Sequence, residues 1–177
     1  MAHFKSITIK ILFLFLFFYF SQKMYAQQVK NEAFSQMLIE LLAHNVTEVT
    51  VVEILENKKV NYVFLDAREQ KEYEISHLKD AIWVGYDDFA VERLQDVSKD
   101  AKIVVYCSVG YRSEKVSEKL QKMGYEDVAN LVGGIFEWSN SGQKVYRNEE
   151  GTAVETSQIH TYNKEWSKWL LVGEKWY

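Results

Sequence analysis

Apolar residues recur along the chain with two periods, and the switching between them lays out most of the elements. Between Asn31 and His44, Phe34, Met37, Leu38, Leu41 and Leu42 fall on one face of an amphipathic helix. Val49 to Asn57 reads as a strand end or turn followed by a short helix. Val60 to Glu69 (VNYVFLDARE) is an apolar run closing in charges, the pattern of a buried strand that opens into a polar loop. A short helix over EQKEYEISHL, a strand over Ala81 to Tyr86 and a helix over DDFAVERLQDV follow, the last with Phe89, Leu94 and Val97 as its contacts. Residues 102–106 form the next buried strand, and 113–123 a helix carrying Val116, Leu120 and Met123. Val128 to Val132 is a strand, Gly133-Gly134 a tight turn, and Ile135 to Asn140 a helix ending near Gly142. Short strands alternating with helices predict an α/β fold around a largely parallel sheet.

The two ends of the chain differ from this middle. Basic residues at the start, an apolar run from Ile11 to Phe20 and a small residue, Ala26, form the pattern of a secretory signal peptide. The run is shorter than the roughly 20 residues that cross a bilayer, so a retained anchor is the lesser alternative. Residues 1–26 are thus expected to be a leader, 27–45 a helical segment, 46–145 the main domain and 146–177 a tail. The expected location is periplasmic or secreted, with membrane attachment only if the leader stays uncut. The tail holds Trp166, Trp169 and Trp176, three of five tryptophans, and NKEWSKWLLVG is helical in period. So many aromatics are expected to pack back on the domain.

A net charge of −4, spread along the chain, gives no basic stripe for nucleic acid. Cysteine changes the picture more. There is one, Cys107, which cannot form an internal disulfide in an exported chain and leaves a free, reactive thiol as one reading and a small buried apolar residue as the other. It sits on the joint between the strand at 102–106 and the following helix, at the carboxyl end of a strand where open α/β sheets bind ligands. The segment Cys107-Ser108-Val109-Gly110-Tyr111-Arg112 has to curl to enter a helix at Ser113, the expected N-cap. Such a curl aims the backbone N–H groups of Ser108 to Ser113 at the sulfur, and the helix N-terminus and Arg112 add positive charge. All three favour a negatively charged, nucleophilic sulfur. No histidine or carboxylate cluster has metal-ligand spacing, and no phosphate-binding glycine loop is present, so no cofactor is expected.

The joint resembles the active-site loop of the rhodanese-like (sulfurtransferase) family, and two further stretches fit the same family. LDAREQKEYEISHLKDAIWV is similar to its motif of aspartate, arginine, glutamate-tyrosine, histidine and alanine-isoleucine, here Asp66, Arg68, Glu72, Tyr73, His77, Ala81 and Ile82. GYEDVANLVGGIFEW resembles its closing motif through Gly124, Tyr125, Val128, Leu131, Gly133, Gly134 and Trp138. The resemblance implies a five-stranded, mainly parallel sheet flanked by helices. It also implies that Cys107 takes sulfane sulfur from a small donor such as thiosulfate, carries it as a persulfide, and passes it to a thiol or cyanide-like acceptor. The expected protein is an enzyme, read as a monomer, with Ser108, Val109, Gly110, Tyr111, Arg112 and Ser113 holding substrate. Many catalytic members carry a basic residue directly after the cysteine, where this chain has Ser108, so Arg112 is the loop's only charge. Related phosphatase and arsenate-reductase loops are one residue longer between cysteine and arginine; the shorter loop here favours sulfur transfer. A non-enzymatic binding or redox module is the other alternative. Asp66 and Arg68 are expected to pair with each other or with neighbours, the alternative being that they orient Arg112 or contact substrate, while Glu72, Tyr73 and His77 are read as packing and hydrogen-bonding residues and Tyr111 as part of the pocket mouth.

Overall fold

The computed structural model describes residues 29–177, so the expected leader, residues 1–26, lies outside the described residues. Five strands, β1 (Thr47–Val49), β2 (Tyr62–Asp66), β3 (Ile82–Trp83), β4 (Lys102–Tyr106) and β5 (Asp127–Leu131), form one sheet in the order β1-β5-β4-β2-β3. Every pairing in it is parallel. Helices α1 (Glu32–Leu41), α2 (Val51–Glu56), α3 (Gln70–Ile75), α4 (Tyr111–Lys122) and α5 (Gly134–Asn140) surround it.

β4 shows why the sheet is covered on both faces. Alternate residues of a strand point to opposite sides, and here Val104 and Tyr106 enter one core with Phe34, Leu38, Leu131, Ile135 and Phe136. Ile103 and Val105 enter the other with Leu65, Val116, Leu120 and Val128. A strand buried on both sides reads as the continuous apolar run that predicted it. The helix expected over DDFAVERLQDV contracts to a 3-10 turn at Val91–Leu94, with Leu94 its one buried side chain. Arg93 Nη1 donates to the carbonyls of Val84 and Asp88, and this tethers the segment to the loop before it.

The tail departs further from its helical period. β6 (Val145–Glu149) and β7 (Thr152–Thr156) form an antiparallel hairpin, turned by Glu150 and Gly151 at φ 49° and 81°. Two successive positive φ values give the turn whose twist matches paired strands. β8 (Gln158–His160) then pairs in parallel with β9 (Glu174–Trp176). Between them only Trp166–Trp169 is helical, as a 3-10 turn. Asn140 of α5 explains the interruption: its Oδ1 accepts the N–H groups of Leu171 and Val172, and its Nδ2 donates to the carbonyl of Trp169. Backbone groups that would continue a helix are taken by a side chain from another element. Trp169 stacks on Phe34 at 5.3 Å between ring centroids and Leu170 is fully buried, so the tail is fastened to the domain. Among the described residues no helix is long and apolar enough to cross a membrane.

Candidate active site

Because β2 and β4 are parallel neighbours in register, with Asp66 beside Tyr106, the chain leaves both at the same edge of the sheet. That edge carries the Asp66–Arg68 turn and the Cys107 loop. The loop is held from three directions. From α5, the N–H groups of Ile135 and Phe136 donate to the carbonyls of Cys107 and Ser108 at 2.9 and 3.2 Å. The approach is so close that a Cβ on Gly134, at φ +53°, would lie 2.3 Å from the Cys107 carbonyl oxygen, which is why glycine stands there. From β5, Asn130 Nδ2 donates to the carbonyl of Gly110 at 3.1 Å. From α4 itself, the Ser113 hydroxyl has the Gly110 carbonyl at 3.1 Å and Asn130 Oδ1 at 2.7 Å.

Ser113 is therefore not the helix cap expected of it. α4 begins two residues earlier, at Tyr111, and Gly110 occupies the cap position at φ 123°. A residue with a side chain resists that angle, so the glycine sets the start of the helix. Ser113 is buried in the first turn as a strut beneath the loop. Helix geometry leaves the first-turn N–H groups without intrahelical partners. The Gly110 amide donates to Cys107 Sγ at 3.1 Å.

The sulfur is almost fully enclosed, and it lies on the floor of a cavity of about 470 Å³. Ser108, Val109, Tyr111 and Arg112 line it with Cys107, whereas Gly110 and Ser113 sit behind the wall. The rest of the lining comes from elsewhere: Leu41 of α1, Glu69, Tyr86 and Asp87 from the sheet edge, and Tyr162 and Trp166 from the tail.

Arg112 is held more firmly than the sequence suggests. Its Nη1 and Nη2 donate to the two carboxylate oxygens of Glu72 at 2.6 and 2.9 Å, and Nη2 also donates to Ser108 Oγ at 3.1 Å. Glu69 Oε1 is 3.8 Å from Nη1. Glu72, read from sequence as a helix and packing residue, is thus part of the loop's charge network. α3 is charged along its length, and nothing in its period shows which carboxylate turns inward. Burial pushes the Glu72 carboxyl up, but the hydrogen bonds and charge of Arg112, aided by Arg68, outweigh it and hold the group below its usual value. Burial pushes Arg112 down, and Glu72 together with the nearby Cys107 more than reverses this.

Asp66 and Arg68 pair with each other. Both are fully buried; Nε and Nη2 of Arg68 donate to the two Asp66 oxygens, and Nη2 also donates to the Ser76 carbonyl. Neither lines the cavity; the pair braces the turn behind it. His77 hydrogen-bonds the Leu78 carbonyl through Nδ1 and stacks on Tyr73, whose hydroxyl donates to the Ala81 carbonyl. His160 of the tail lies 3.9 Å from Glu72, but its Nδ1 accepts the Tyr162 N–H, and burial lowers its tendency to take a proton. We read His160 as neutral, not as a partner in an ion pair. Among the described residues no cluster of three potential metal ligands occurs.

A family description, "Rhodanese-like domain", matches residues 48–141, over half of the chain. The chain belongs to the rhodanese-like domain family. A tRNA uridine(34) hydroxylase of Hamiltonella defensa is 34% identical over 131 residues, which cover 70% of this chain and 35% of that protein. The chain therefore spans only about a third of that relative's length. Among solved structures, a rhodanese-like domain protein of Staphylococcus aureus superposes with a TM-score of 0.50 at 25% identity, over 58% of this chain and 99% of that one. The thiosulfate sulfurtransferase of Pseudomonas aeruginosa gives 0.52 at 25% identity, over 58% of this chain and 20% of that one. The cysteine loop, the closing glycines and the Asp66–Arg68 turn all fall inside the matched rhodanese-like region. The tail that supplies Tyr162 and Trp166 falls outside it.

Proposed function

We propose that this rhodanese-like protein transfers sulfane sulfur through a persulfide on Cys107. The observation that carries the reading is the Gly110 N–H donated to Cys107 Sγ at 3.1 Å, at a helix N-terminus and on the floor of an open-mouthed cavity. A sulfur held this way is stabilised when negatively charged and is reached only through the cavity. In the first half-reaction the thiolate attacks the outer sulfur of a donor. The donor's S–S bond breaks and its leaving group departs with the bonding pair, as sulfite does from thiosulfate. In the second, an acceptor takes that outer sulfur and Cys107 leaves as thiolate. The positive end of the helix, with its first-turn amides free of intrahelical partners, favours the negative charge of the persulfide.

Hydroxylation of a tRNA uridine, the activity named for the longer relatives, is not carried over to this chain. A polyanion is drawn to unpaired Lys and Arg; among the described residues the one arginine lining this cavity is already matched by Glu72, and Glu69 and Asp87 line the cavity with it. The exported location expected from the leader is part of the same proposal. The test is intact mass after incubation with thiosulfate or polysulfide, beside a Cys107→Ser control. Gain of one sulfur, absent from the control and removed by cyanide or a thiol, is expected. A thiol that alkylates but gains no sulfur from either donor overturns the reading.

A further inference from the structure

The Cys107 cavity is larger and more aromatic than delivery of sulfur from a small inorganic donor requires. A volume of about 470 Å³ lies within the roughly 300–1,000 Å³ of pockets that enclose organic ligands, and thiosulfate fills only a fraction of it. Four aromatic side chains, Tyr86, Tyr111, Tyr162 and Trp166, line it with Leu41 and Val109. Both ends of the Arg112 fork are taken by Glu72. Two further carboxylates, Glu69 and Asp87, lie on the lining, where Arg112 is the one cation among the described residues. Burial, joined by the charges of Asp87 and Asp88, pushes the Glu69 carboxyl up in spite of Arg112. The face of Tyr162 is directed at Arg112, with the guanidinium 5.3 Å from the ring centroid. Tyr162 holds that place at φ 65°, an angle uncommon for a tyrosine. The tail thus finishes an apolar enclosure over a site whose net charge is negative.

We propose that the sulfur acceptor of this cavity is an organic thiol with an apolar or aromatic body and a cationic group, the cation facing Glu69 and Asp87. This rests on the persulfide reading of Cys107. The acceptor's thiolate attacks the outer sulfur of the Cys107 persulfide. The bond from Cys107 Sγ to that sulfur breaks, Cys107 keeps the pair as thiolate, and the acceptor leaves as its hydropersulfide. No oxidant or reductant is consumed. The aromatic walls remove the acceptor's body from water, and the two carboxylates select its charge at close range in a partly enclosed site.

The experiment uses the protein loaded with sulfur from polysulfide and confirmed by mass. Discharge is then timed with two thiols matched in ring and thiol acidity, 4-(2-aminoethyl)benzenethiol and 3-(4-mercaptophenyl)propionate. The cationic thiol is expected to discharge the persulfide about tenfold faster or more, a preference that falls to about twofold or less in a Glu69→Gln/Asp87→Asn protein. Tyr162→Ala is expected to slow the aromatic aminothiol more than the small aminothiol cysteamine. Equal rates for the two aromatic thiols in the unaltered protein overturn the proposal while leaving the persulfide reading intact. A protein that cannot be loaded by any donor overturns both.

Discussion

Replacing Glu72 by Gln tests the ion pair on which the cysteine loop rests. The glutamine keeps the size of the side chain but strips the Arg112 guanidinium, 13% exposed, of its bidentate counter-charge and leaves it only Glu69 at 3.8 Å. Breaking a buried pair from one side costs about 3–5 kcal/mol, and the partial exposure of Arg112 places this case near the lower end, about 3 kcal/mol. With a urea dependence of about 2 kcal/mol per molar, the unfolding midpoint falls by about 1.5 M. Removing the stranded charge as well, in Glu72→Gln/Arg112→Met, is expected to recover most of that loss, because the cost lies in the unpaired cation. The same pair has a pH signature. Glu72 is held below its usual value of 4.5, so folded protein resists a proton that unfolded chain accepts. Its contribution is full above about 4.5 and is lost as pH falls through the folded value, so the gap between wild-type and variant narrows on acidification. A midpoint shift under about 0.5 M, or a double variant no better than the single one, would show that the pair is solvated and does not hold the loop.

Two other substitutions probe how the loop and the tail are fixed. Gly134→Ala drives a Cβ against the carbonyls of Cys107 and Ser108 from a left-handed backbone, so a loss of more than about 2 kcal/mol in thermal or urea unfolding is expected, with faster alkylation of Cys107 as its loop loosens; wild-type stability would refute the close approach. Asn140→Ala removes three hydrogen bonds to the tail backbone, at an expected cost of about 2–3 kcal/mol, and hydrogen exchange should rise across residues 166–176 while that of β4 and β5 stays slow.

Much of the fold was legible because its central strands are buried on both faces. The run Ile103-Val104-Val105-Tyr106 has one environment available to it, and the α/β alternation around it is enough to place Cys107 at a strand's carboxyl end. The cysteine, its glycine-containing loop and Arg112 were legible for the same reason, as short-range features of one chain segment. What the sequence did not reveal depends on distant partners. Whether Ser113 caps the helix or sits beneath the loop was decided by Gly110 adopting φ 123° and by Asn130 reaching across from β5. Glu72 looks like any carboxylate on a charged helix until the sheet sets α3 against Arg112. The tail's apolar spacing fits a helix, and three side-chain hydrogen bonds from Asn140 override it. The character of the cavity is tertiary in the fullest sense. Arg112 reads as an available cation in the sequence, and only packing shows that Glu72 has taken its charge and that Tyr162 and Trp166 close the wall, since a charge's partner and a pocket's lining are fixed by distances in space, not by separations along the chain.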